Sequence, residues 1–126
     1  MKNRKLSNVT GLKVFVPSKE HEISTRFYKD LGFKLVWEVD DLKEFQLDGF
    51  GFLLQRFYEK EFADNLMLQL WVEDLESWWR QIEEGKLVEK YEGVKAKPPH
   101  QYPWGLTEIH LIDPSGVLWH IIQNKP

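Results

Sequence analysis

The chain has 126 residues, a formal net charge of −3 at neutral pH, six tryptophans and no cysteine. That length suits one domain (1–126) with a core of its own, while the missing cysteines exclude a disulfide framework, a thiolate nucleophile and a cysteine-type zinc site and suit a reducing cytoplasm. Charge of mixed sign without a basic stripe argues against nucleic acid, and no apolar stretch is long enough for a signal peptide or membrane span, so the basic segment 1–7 reads as a short solvated arm.

Leu12, Val14 and Val16 alternate with Lys13 and Phe15, which predicts a half-buried strand over 12–16 ended by Pro17-Ser18. Ser18 is the expected N-cap of a helix in which Ile23, Phe27 and Leu31 recur every four residues and which Gly32 closes. Three short strands follow over 33–39, 42–47 and 50–57, separated by Asp40-Asp41 and by Asp48-Gly49, a favoured hairpin turn. The charges at Glu59–Glu61 and at Glu83-Glu84 read as solvated surface.

The second half repeats this order. Leu66, Leu68, Leu70 and Val72 alternate with Met67, Gln69 and Trp71 in a strand, and Asp74 caps a helix whose stripe is Leu75, Trp78, Trp79 and Ile82, stopped at Gly85. Pro98-Pro99 interrupts any period between 86 and 102, where one irregular strand is expected near 87–91. Two strand-like runs then flank Asp113-Pro114-Ser115-Gly116, a turn in which Pro presets φ and Gly tolerates a positive φ, so 104–123 reads as a hairpin with His110 and His120 on its arms. Trp78, Trp79 and Trp119 are assigned to the helix-facing core, with Trp37 unassigned; His21 and His100 have no evident partner.

Module one, about 9–58, overlays on module two, about 65–124, pairing Gly11 with Met67, Lys13 with Gln69, Phe15 with Trp71 and Gln55 with His120. Three motifs occur in order: Phe27-Tyr28-Lys29-Asp30-Leu31-Gly32-Phe33, Val72-Glu73-Asp74-Leu75, and Pro103-Trp104-Gly105 leading to the Asp-Pro-Ser-Gly turn. On these the chain, from about 9 to 124, resembles the vicinal oxygen chelate superfamily of glyoxalase I, extradiol dioxygenases, fosfomycin-modifying enzymes and bleomycin-resistance proteins. The resemblance implies an α+β fold of two βαβββ modules forming a curled mixed sheet around a cleft, with helices on the convex face and usually a homodimer. In metal-dependent members His or Glu ligands come from the first and last strand of each module. The matching positions here are Gly11, Gln55, Met67 and His120, which supply one good ligand, and no register shift of two residues recovers a set. No metal or other cofactor is therefore expected.

Without a metal, the inward positions become the expected ligand-binding wall: Lys13, Phe15, Gln55, Met67, Gln69, Trp71, Glu108, His110 and His120, with Trp104 at the rim. Flat rings with a few directional polar groups suit a planar or aromatic small molecule, held by sequestration rather than turnover. The alternative is a glyoxalase-type or dioxygenase-type enzyme that uses Glu108, His110 and His120 as a reduced metal site or as a general base. Against an ion there, ligands from one hairpin are expected to approach from one side only.

Overall fold

The computed structural model describes residues 6–124, so most of the basic arm, residues 1–5, lies outside the described part. Its elements run β1 (Phe15–Pro17), α1 (His21–Leu31), β2 (Lys34–Val39), β3 (Leu42–Leu47), β4 (Phe50–Gln55), α2 (Lys60–Asn65), β5 (Met67–Val72), α3 (Leu75–Glu84), α4 (Leu87–Lys90), β6 (Lys95–Gln101), β7 (Thr107–Ile112) and β8 (Leu118–Gln123). The βαβββ order occurs twice, and each module folds its own four-stranded mixed sheet, ordered β1-β4-β3-β2 and β5-β8-β7-β6. In both sheets the first strand pairs parallel with the last, and the remaining pairs are antiparallel. Neither sheet closes on itself.

Local chemistry accounts for most of these elements. At the β3–β4 turn Asp48 and Gly49 both take positive φ, +53° and +84°, the pair a type I′ hairpin turn requires. Asp74 caps α3, accepting from the Ser77 backbone N–H at 3.2 Å and from the Ser77 hydroxyl at 2.6 Å. In the turn 113–117 the Asp113 carboxylate accepts the N–H groups of Ser115 and Val117 at 2.8 and 2.9 Å, so the side chain shapes the turn. Gly51 marks a close approach of β3 and β4, since a Cβ there would stand 2.3 Å from the Phe45 carbonyl oxygen.

Four expectations are corrected. The first strand is Phe15–Pro17 rather than 12–16: β4 offers it only Leu53–Gln55, and Leu12 lies in solvent. Ser18 does not cap α1; its hydroxyl donates to the Gln55 carbonyl at 2.7 Å and meets His21 Nδ1 at 2.8 Å, tying the end of β4 to the start of the helix and giving His21 the partner it lacked in the sequence. Residues 87–90 form the short helix α4, and the strand lies later, at β6. Pro98-Pro99 fits into β6 because β6 is an edge strand whose register shifts between Lys97 and His100, where the missing N–H groups cost no ladder bond.

The modules share one core. Val16, Phe27, Tyr28, Phe33, Phe45, Phe52 and Leu54 of the first pack with Leu75, Ile82, Ile109, Leu111, Trp119 and Ile121 of the second. Trp119 meets Phe33, Phe52 and Tyr28 at 5.4–5.8 Å between ring centroids. Across this seam the fully buried Tyr28 hydroxyl donates to Asp113 Oδ2 at 2.5 Å and accepts from Trp119 Nε1 at 2.9 Å. Trp78 and Trp79 pack at the margin of the same core, whereas Trp37 lies half exposed opposite Glu44 on the other face of its sheet.

Candidate functional site

Strand alternation places the site. On β7 and β8 the odd-numbered Ile109, Leu111, Trp119 and Ile121 enter the core, which turns Glu108, His110 and His120 to the opposite face. His110 and His120 are direct cross-strand partners and their rings meet edge-on at 4.6 Å. Glu108 is almost completely buried; its Oε1 accepts from His110 Nε2 and from His120 Nδ1, both at 2.9 Å, and its Oε2 accepts from Trp104 Nε1 at 2.7 Å. Burial alone works against the charge, but the bonds from His120, Trp104 and His110 outweigh it and hold the carboxyl below its ordinary range. The group is an ionised carboxylate at the centre of three N–H donors.

Tyr102, which the sequence reading passed over, packs on the same cluster. Its ring lies nearly parallel to Trp104, 4.9 Å between centroids and 7° apart, and to His110, 4.6 Å and 13°, while its hydroxyl meets His110 Nδ1 at 3.2 Å. His100 stands edge-on to the same ring at 4.7 Å. A backbone bond from the Tyr102 N–H to the Leu106 carbonyl, 2.9 Å, closes the β6–β7 connection and places these rings together.

The expected wall residues divide into two sets. Met67, Gln69 and Trp71 lie on β5 beside β8, with Gln69 opposite His120 and Trp71 Nε1 donating to Gln69 Oε1 at 3.3 Å. Lys13, Phe15 and Gln55 belong to the first module, where Lys13, just before β1, pairs with Glu44 at 2.8 Å and Phe15 stands half exposed opposite Leu53. Among the described residues no hydrogen bond or ring contact joins the first-module set to the Glu108 cluster. Lys13 and Gln69 do meet across a pocket of about 550 Å3 between the sheets, lined also by Gly11, Gln46, Phe52 and Trp119. That volume lies within the roughly 300–1,000 Å3 range of small-molecule sites.

Two ion positions can be tested against donor chemistry. Gly11 has no side chain, Met67 offers a soft thioether and Gln55 a weakly coordinating amide, so these positions do not build a divalent-ion site with His120. Glu108, His110 and His120 each present a ligand atom within 4.8 Å of the others, all three from the β7–β8 hairpin. An ion held between the Glu108 oxygen and the two ring nitrogens that now face it would displace the N–H donors that satisfy this carboxylate.

Comparison with known proteins places this geometry among relatives. The sequence profile described as the Glyoxalase/Bleomycin resistance protein/Dioxygenase superfamily matches residues 12–121. The chain is similar to a bleomycin resistance protein of Klebsiella pneumoniae, 29% identical over 115 residues that cover 87% of this chain and 89% of that one. It shares its fold with a bleomycin-binding protein solved in complex with bleomycin, with a TM-score of 0.80 at 24% identity over 93% of this chain and 100% of that one. A bleomycin resistance determinant encoded on transposon Tn5 superposes with a TM-score of 0.78 at 22% identity, again over 93% and 100% of the two chains.

Proposed function

Because the chain belongs to the Glyoxalase/Bleomycin resistance protein/Dioxygenase superfamily, we propose that it is a metal-free small-molecule-binding protein of the bleomycin-resistance type, which captures a planar or aromatic ligand without transforming it. The observation that carries this reading is the pairing of an aromatic wall, Trp104, Tyr102 and His110, with family ligand positions occupied by Gly11, Gln55 and Met67. Stacking supplies affinity for a flat body, and the polar atoms along β5 and β8 orient it. Lys13, Phe15 and Gln55 complete the wall from the first module.

Half-exposed Phe15, Trp37, Trp71 and Met67 support assembly as a homodimer that covers these faces. Cytoplasmic residence accords with the absence of cysteine. No helix among the described residues is long and apolar enough to cross a membrane.

Bleomycin is the first ligand to try, since relatives carry its name. Chelator-treated protein is titrated with metal-free bleomycin by calorimetry, and the ligand is recovered for mass spectrometry. Saturable binding with an unaltered ligand is expected. A stoichiometric divalent ion that the ligand-free protein retains through dialysis, or a chemically changed ligand, would overturn the proposal. Sedimentation equilibrium tests the dimer.

A further inference from the structure

We infer that Glu108 locks His120 into a single tautomer, and that the bare Nε2 so created is a fixed acceptor for an N–H or O–H group on the ligand; this rests on the planar-ligand reading above. An ionised carboxylate only accepts hydrogen bonds, so both contacts to Oε1 have the imidazoles as donors, His110 through Nε2 and His120 through Nδ1. Nδ1 of His110 is then a lone pair, and the Tyr102 hydroxyl donates to it at 3.2 Å. Trp104 occupies the second carboxylate oxygen. Every polar side-chain atom of the cluster except His120 Nε2 thus has a partner with its role fixed. Among the described residues that nitrogen has no hydrogen-bond partner, and it is not a buried orphan, since the His21 Nε2 atom alone among them is both buried and unpaired.

The neighbouring strand extends the recognition pattern. Gln69 is the register partner of His120, and its carbonyl oxygen is engaged by the Trp71 indole, which leaves its amide N–H groups free to donate. An acceptor and a donor therefore stand at adjacent register positions beside the aromatic wall. A planar heterocycle with a donor next to an acceptor on one edge, the pattern of a lactam or an amino-substituted nitrogen ring, satisfies both. A ligand presenting a carbonyl or carboxylate to His120 meets only a lone pair and is rejected.

The test uses the folded chain at pH 8, with 2-quinolinone and its N-methyl derivative as probes. Long-range proton–nitrogen spectra without ligand are expected to give a protonated Nδ1 and an unprotonated Nε2 on His120, and mixed tautomers in Glu108→Gln. The N–H lactam should bind about five- to tenfold more tightly than the N-methyl compound, the scale of one hydrogen bond, and should shift the His120 Nε2 resonance upfield. His120→Phe should abolish that preference, so that the two probes bind it with equal affinity. Equal affinities for the two probes, or a protonated Nε2 in the free chain, overturn the inference while the planar-ligand reading stands. Failure of both probes to bind removes the planar-ligand reading and this inference with it. The tautomer spectrum of the unaltered chain decides the first half even where a variant does not fold.

Discussion

Tyr28→Phe removes one oxygen atom from the seam between the modules, and its cost can be worked out group by group. The ring stays, packed against Phe27, Phe33, Phe45, Phe52 and Trp119, so the apolar contribution is unchanged. Two partners lose their bond: Trp119 Nε1, a buried N–H, and Asp113 Oδ2, a buried carboxylate oxygen. An orphaned buried donor costs about 1–3 kcal/mol and a lost bond to a charged group about 1.5–3 kcal/mol, so roughly 3–5 kcal/mol is expected at pH 8. The loss should also depend on pH. Burial pushes the Asp113 carboxyl up to about 6, against the opposing bonds from Tyr28, Val117, Ser115 and Gly116. A folded pKa above the unfolded value of about 3.9 means that the folded chain takes up this proton first on acidification. The carboxyl therefore favours folding in acid, and that contribution is lost as pH rises through about 6. Losing the Tyr28 donor raises the carboxyl further, and each unit of rise returns about 1 kcal/mol to the variant at pH 5. Urea unfolding at pH 8 and pH 5 reads both effects. A deficit under about 1 kcal/mol at pH 8, or an equal deficit at both pH values, would refute this account of the seam.

Further outcomes are expected elsewhere. Gly51→Ala forces a Cβ to 2.3 Å from the Phe45 carbonyl, and since the backbone must move, a loss above about 2 kcal/mol is expected; an unchanged thermal midpoint would contradict the close approach. Phe52→Ala opens a cavity under Tyr28, Phe33, Phe45 and Trp119 and should cost about 3–5 kcal/mol in chemical denaturation. Trp104→Ala removes a ring that is largely exposed, so planar-ligand affinity should fall by about fivefold or more while far-ultraviolet circular dichroism is preserved; undiminished affinity would remove Trp104 from the wall.

Sequence and structure agree where the signal is local. Asp48-Gly49, the Asp74 cap, the four-residue spacing of Ile23, Phe27 and Leu31 and the Asp-Pro-Ser-Gly turn each act within a few residues, so their geometry was legible. The Glu108, His110 and His120 cluster was legible for the same reason, because alternation on one short hairpin leaves little freedom. Tyr102 was missed because β6 was placed too early, and no period crosses Pro98-Pro99 to reveal an edge strand. The length of β1 and the use of Ser18 depend on how much of β4 is free to pair, a non-local property. How Lys13, Phe15 and Gln55 stand relative to the second sheet depends on module packing, which alternation along one strand does not encode.

The strand order has a consequence for how the chain can be shortened. Each module closes by inserting its last strand between the first and the third, so β8, although it ends near the C-terminus, is an interior strand flanked by β5 and β7. Chain ends usually tolerate trimming because little is packed on them. Here removal of the last strand would strip both neighbours of their partner, together with Trp119 and His120, whereas shortening the exposed stretch 6–12 would leave both sheets intact. The stretch through Gln123 is thus where folding of the second sheet is completed, while residues 6–12 hold no strand.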